Sequence, residues 1–330
     1  MKKINICKMI IAFFAIVTFG VCIIIYLLPF WMDVSIPFKV KDYRITITKG
    51  TVTLNEYTGS DTEIVVPERI FFLPVTYLGP HCYENVKHTM TSISLPDTMT
   101  IVGNSAFWTC DKLESVHANN INTIEVKAFG YDTNLRNVDL GDGIKKVEGS
   151  AFAYCSSLEK ITLTNESEIG VDAFFHSGIK EIGNIQTATR IGGGAFYFTP
   201  WEESQDVDYL MVGDKLIMYK GDSDVVVIPE GVKTISGTFC GTFLGESKYD
   251  KELSEIYISD TVTKIERFSF FGQQSPIVYI PASVTNIEEN VFSLDATPLI
   301  ITTSGSTAEQ YAIDNGINYE IVDSWEVPET

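Results

Sequence analysis

An Ala-Phe step returns every 22 to 23 residues through the first half of this chain: Ala106-Phe107, Ala128-Phe129, Ala151-Phe152, Ala173-Phe174 and Ala195-Phe196. A step that regular means one supersecondary unit copied along the chain, each copy burying its apolar face only against its neighbours. The same slot extends outward to Tyr83 on one side and to Phe239, Phe270 and Phe292 on the other, which makes nine turns.

Five residues before the aromatic stands an aliphatic residue, as at Leu78, Val102, Ile124, Val147, Ile169, Ile191, Ile265 and Ile287, with Ile235 one place out of register. An alternating apolar pair precedes it: Ile93 and Leu95, Val116 and Ala118, Val138 and Leu140, Ile161 and Leu163, Val226 and Ile228, Ile256 and Ile258, Val278 and Ile280. Period two with β-branched residues predicts a strand of three or four residues per copy. Turn residues such as Pro96-Asp97, Gly141-Asp142-Gly143 and Pro229-Glu230-Gly231 close it. Each copy has no room for a long helix. Stacked at roughly 4.7 to 4.9 Å, the strands predict a mainly β repeat solenoid with one parallel sheet and an interior Phe column.

The pattern is matched best by Met90 to Cys110, Leu135 to Cys155 and Leu158 to Phe174, and it resembles the bacterial BspA-type leucine-rich repeat. Tyr57-Thr58-Gly59-Ser60 followed by Ile64-Val65-Val66-Pro67 resembles that family's opening turn. Gly305 to Ala312 followed by Gly316-Ile317 resembles its terminal cap. The resemblance covers residues 43–321, with the cap at about 300–321. It implies an outward-facing interaction module and is specific for fold rather than function.

Two departures interrupt the period. From Phe196 to Phe239 there are 43 residues and one missing Phe slot. Here Tyr209 to Val212 and Lys215 to Tyr219 flank Gly213-Asp214, which predicts a β-hairpin within an insertion at about 200–222. From Phe239 to Phe270 there are 31 residues, with a polar insertion around Gly245 to Lys251.

Met9 to Met32 carries no charge over 24 residues, preceded by Lys2, Lys3 and Lys8 and followed by Asp33. At about 1.5 Å per helical residue this run spans a hydrocarbon core of about 30 Å. It predicts a transmembrane signal-anchor helix at 9–32 contacting the lipid bilayer, with Tyr26, Phe30 and Trp31 at one interface. The basic residues place the tail 1–8 in the cytoplasm and the repeat domain outside a bacterial plasma membrane. Residues 33–42 read as a stalk and 322–330 as a tail. Secretion after signal-peptide cleavage is the alternative, with Thr18-Phe19-Gly20 the only small-x-small candidate.

The chain has a formal net charge of -19, with 43 acidic and 24 basic residues. Such a surface repels nucleic acid and anionic lipid and disfavours a basic groove. It serves solubility, or it attracts a cationic partner. Of six cysteines, Cys7 and Cys22 lie at or in the apolar run. Cys110 and Cys155 share a slot two turns apart, about 9 to 10 Å by the strand spacing, beyond disulfide reach. With Cys82 and Cys240 they read as buried small residues of the repeat.

His81, His88, His117 and His176 fall in different turns without metal-ligand spacing, so no metal, cofactor or catalytic site is expected and the chain reads as a non-enzyme. Gly192-Gly193-Gly194 and Leu95-Pro96-Asp97-Thr98-Met99 read as repeat parts rather than a phosphate loop or a sorting signal.

A solenoid meets partners on the sheet its strands expose. The outward columns read Ser94, His117, Asp139, Thr162, Gly183, Val227, Tyr257, Tyr279, and Ser92, Ser115, Asn137, Lys160, Glu181, Val225, Glu255, Ile277. In the last three turns they become apolar and aromatic. Val225, Val227, Tyr257, Ile277 and Tyr279 are therefore the candidate partner-binding residues for a protein or host-surface ligand. The hairpin 209–219 or the C-terminal cap covering this patch is the competing reading. An adhesin-like interaction protein is the leading expectation, and a structural envelope protein without a specific ligand the alternative.

Overall fold

The computed structural model describes residues 36–141, 143–237 and 251–328. Three-residue parallel strands form the front of a solenoid. Glu63–Val65, Ser92–Ser94, Ser115–His117 and Asn137–Asp139 pair in sequence, followed by Lys160–Thr162 with Glu181–Gly183. Val225–Val227, Glu255–Tyr257, Ile277–Tyr279, Leu299–Thr302 and Asn318–Ile321 then form a third run. Two-residue strands carrying the aliphatic column, from Ile101–Val102 to Arg190–Ile191, stack in parallel behind them. Ile235, expected one place off, pairs in register with Leu216 and Ile265. Phe239, from which that place is counted, lies outside the described residues.

The Ala-Phe corner has a backbone cause. The Phe152 N–H donates to the Ala173 carbonyl at 2.8 Å, and the Phe107, Phe129 and Phe174 N–H groups do the same one turn on. The small residue lets neighbouring turns approach at this point. A left-handed residue stands two places before the aromatic, at Ser105, Lys127, Ser150, Asp172 and Gly194. Another stands two places after it, at Thr109, Tyr131, Tyr154, His176 and Phe198. The rings of Tyr83, Phe107, Phe129, Phe152, Phe174 and Phe196 then stack at centroid distances of 5.0 to 5.7 Å, tilted by no more than 11°. Their side chains are all but sealed from solvent.

Gly194 closes the triple glycine. A Cβ there would meet an Asp172 carboxylate oxygen at 2.1 Å, and its φ of +67° favours glycine. Asp172 is buried, and burial pushes its carboxyl up to about 6. Because the folded-state value lies above the unfolded one, the folded state holds this proton more tightly. Its stabilising contribution is complete below the unfolded value and is lost as pH rises through about 6, roughly 2 to 3 kcal/mol in all. Asp132 is also buried and shifted up by burial, so it acts with the same sign. Wild type should therefore melt at a lower temperature near pH 8 than near pH 5. Asp172→Asn should flatten that fall, since Asn tolerates the left-handed region. Parallel pH dependences in the two proteins would contradict this account. Cys82, Cys110 and Cys155 are unpaired and buried, and burial pushes their thiols up, as expected of core residues. Cys7, Cys22 and Cys240 lie outside the described residues.

At 200–222 the stack is plugged. A short helix, Pro200–Glu203, begins with the Thr199 hydroxyl accepting from the Glu202 N–H at 3.1 Å, and Pro200 suits the first turn. It places Trp201 against Phe196 at 4.7 Å, where the next Phe would stand. The expected hairpin follows, Tyr209–Val212 against Lys215–Tyr219. It divides the interior into two cores, with Ile217 and Met218 in the first and Leu216 and Tyr219 in the second.

Both ends are closed. Ser306 caps the helix Thr307–Asn315, Gly316 ends it in the left-handed region, and Asn318–Ile321 adds the last front strand. At the other end, residues 36–40 are not stalk. Ile36–Val40 pairs antiparallel with Tyr43–Thr48, because a tight turn at Lys41-Asp42 returns the chain onto the alternating Ile45 and Ile47. The tail is ordered as well: the Val322 N–H donates to the Thr302 carbonyl at 3.0 Å. The expected cytoplasmic tail and transmembrane segment at 1–32 lie outside the described residues, and among the described residues no helix is long and apolar enough to cross a membrane.

Candidate partner-binding face

The register on the front sheet is the one the outward columns required. Ser94, His117 and Asp139 are aligned, as are Thr162 with Gly183, and Val227, Tyr257 and Tyr279, which continue to Ile301. The early turns carry exposed polar side chains, including His117 Nδ1 at 3.1 Å from Asp139 and Lys160 at 2.6 Å from Glu181. Ion pairs so exposed contribute little to stability.

In the last turns the candidate residues come together, with one correction. Val225, Val227, Ile277 and Tyr279 are half-buried, whereas Tyr257 is only 7% exposed. Tyr257 stacks face to face on Tyr279 at 4.1 Å, and its hydroxyl donates to the Glu255 carboxylate. The C-terminal tail lies alongside, with Trp325 5.8 Å from the Tyr279 ring. Trp325 is tilted by 48° against Tyr279, within the spacing at which aromatic pairs attract.

Between tail and sheet runs a groove of about 650 Å³. Val227 and Tyr257 line its floor, Tyr209 of the hairpin one wall and Trp325 with Val327 the other. Pro229 and Pro281, the turn residues after the front strands, line it too, and Glu230, Asp260 and Asp323 give it acidic margins. An apolar floor with a rim of one charge sign suits an apolar anchor flanked by cationic groups.

A second aromatic ladder escaped the sequence reading. Tyr131, Tyr154, His176 and Phe198 stack at 4.4 to 5.1 Å, with Trp108 edge-on to Tyr131 at 4.9 Å. The signal was available, since Tyr131, Tyr154, His176 and Phe198 stand two places after Phe129, Phe152, Phe174 and Phe196, although Thr109 holds that place after Phe107. These rings occupy the second left-handed position. Among the described residues no group of three or more His, Cys, Asp and Glu side chains is placed to hold a metal.

The chain matches the BspA type leucine rich repeat region in six copies, over residues 76–200 and 247–323. No curated protein matches it. Among solved structures it is similar to a leucine rich cell surface protein from Faecalibacterium prausnitzii, at 19% identity and a TM-score of 0.49, covering 89% of this chain and 96% of that one. A leucine-rich repeat protein from Eubacterium ventriosum is similar at 19% identity and a TM-score of 0.41, covering 82% and 73%. The pneumococcal vaccine antigen PcpA is similar at 13% identity and a TM-score of 0.39, covering 89% and 100%.

Proposed function

The chain belongs to the BspA-type leucine-rich repeat family, and from that premise we propose that it is a membrane-anchored, outward-facing protein that binds other proteins or host-surface material through its front sheet. The uncharged run 9–32 serves as anchor, and the protein works without chemistry of its own. The observation that carries the reading is the acid-rimmed groove over Val227 and Tyr257. Its apolar floor takes an aliphatic or aromatic anchor, and Glu230, Asp260 and Asp323 favour Lys or Arg beside it. The net charge of -19 steers such a partner from a distance.

Tyr257 is too buried to test binding alone, because its loss also removes the ring on which Tyr279 stacks. The half-buried pair Val227→Ser and Tyr279→Ser is the better probe. Capture of extracellular partners by the full chain should fall by about tenfold or more in this variant, in line with hot-spot losses of about 2 kcal/mol. Capture should weaken as salt rises and stay unchanged in His117→Ala. Unchanged capture by the double variant would remove this face of the front sheet from the binding site. A structural envelope role, with contacts made through the ends of the solenoid, would then be the better reading.

A further inference from the structure

The hairpin of Arg69–Ile70 and Leu73–Leu78 turns through two residues, Phe71 and Phe72, whose neighbours Ile70 and Leu73 face each other across it. Both have positive φ, 50° and 66°, and among the described residues they are the only two adjacent non-glycine residues that do. A two-residue turn of this shape is ordinarily filled by Asn-Gly or a similar pair, because a bulky side chain is strained there. The neighbouring cap hairpin obeys that rule with Lys49-Gly50. Phe72 is 81% exposed, Phe71 44% and Val65 nearby 78%. This turn therefore combines backbone strain with exposed apolar surface, and strain held against solvent marks a functional site.

Its position says what covers it. Phe71 and Val65 line one groove with Val40 and Lys41, the end of the strand Ile36–Val40. That strand starts four residues after the uncharged run 9–32. Residues 36–72 carry five basic and five acidic residues, so this end adds nothing to the chain's net charge of -19. A segment without net charge is repelled less by an anionic lipid surface than the acidic chain as a whole. Arg69, 3.6 Å from the Glu68 carboxylate, stands beside the tip and donates to the Phe72 carbonyl at 3.0 Å, and an Arg next to aromatic rings suits the headgroup region.

Resting on the reading of 9–32 as an anchor, we propose that the Phe71-Phe72 turn dips into the bilayer interface and seats the N-terminal end of the solenoid on the membrane. Two contacts, one spanning and one interfacial, then set the tilt of the repeat domain and hold its front sheet outward.

The test uses the full chain reconstituted in vesicles of phosphatidylcholine with a minority of phosphatidylglycerol, with and without brominated acyl chains. Phe72→Trp should place its added indole in the headgroup–acyl boundary, about 5–10 Å deep. Relative to wild type, that added emission should shift to shorter wavelength and be mostly lost to the brominated lipid. Leu294→Trp, at a fully exposed position in a loop after the last repeat, should show neither effect. Phe71→Asn with Phe72→Gly, which fits the turn better, should raise the melting temperature while loosening the domain from the vesicle surface, read as faster tumbling of a spin label. Alkaline carbonate extraction reports separately on the anchor. If the Phe72→Trp protein resists extraction while its added emission is unquenched, the seating proposal is overturned and the anchor stands. If it is extracted yet quenched, the seating is supported and the anchor overturned; extracted and unquenched, both fall. Self-association lost in the Asn-Gly variant without quenching would assign the tip to a second copy and overturn the proposal.

Discussion

Replacing Phe152 with Ala is expected to destabilise the protein by about 3–5 kcal/mol, seen as a lower urea midpoint at nearly unchanged slope. Phe152 is fully buried and stacks on Phe129 at 5.1 Å and Phe174 at 5.4 Å, so its removal empties one level of a continuous column. A compact domain can relax around such a cavity from several directions. Here the backbone on both sides is tied by the bonds from Phe129 to Ala151 and from Phe152 to Ala173, which hold the turns at fixed spacing. Phe152→Leu, which keeps most of the volume, should lose far less. Phe292→Ala should also lose less, because Phe292 is 7% exposed and tilted by 32° against Phe270 beside the cap. A Phe152→Ala loss below about 1 kcal/mol, or one equal to that of Phe292→Ala, would mean that the column is not the main source of cohesion.

The period made the column legible because one kind of residue must fill one kind of space at every turn. It also fixed the front-sheet register, since a slip of one residue would turn Val226, Ile256 and Val278 out of the core. What escaped notice lay where the chain leaves the repeat. Ile36–Val40 reads as a stalk because its pattern gives no sign of the partner strand Tyr43–Thr48 waiting beyond a turn. Trp325 belongs to no repeat, so nothing in the spacing indicates that it returns to Tyr279. Tyr257 occupies an outward position by register and is nevertheless buried, because register is local while burial depends on neighbours such as the stacked Tyr279 ring. The second ladder is different in kind: Tyr131, Tyr154, His176 and Phe198 recur with the period and required only that the column two places after Phe be read.

Lys220→Met should destabilise the protein by about 3–5 kcal/mol and weaken partner capture with it. The Glu202 carboxylate is fully buried and meets the Lys220 ammonium at 2.9 Å, while the ammonium also donates to the carbonyls of Glu202 and Gln205 at 3.0 and 2.6 Å. Met reproduces the length of the Lys stem but leaves a charge inside the plug without its counter-ion. The loss is a property of the broken pair rather than of its net worth, so Glu202→Gln with Lys220→Met should recover most of it. Binding follows because Lys220 sits at the mouth of the hairpin: its N–H donates to the Asp208 carbonyl at 2.7 Å, and Tyr209 and Tyr219 face each other across the next rung. Tyr209 is also a wall of the groove. An intact pair therefore holds the plug, the hairpin and that wall in one arrangement, and the single variant should lose capture that the double variant regains. Capture unchanged in Lys220→Met, measured well below its melting temperature, would separate the plug from the groove and leave Val227, Tyr279 and the tail to define the site.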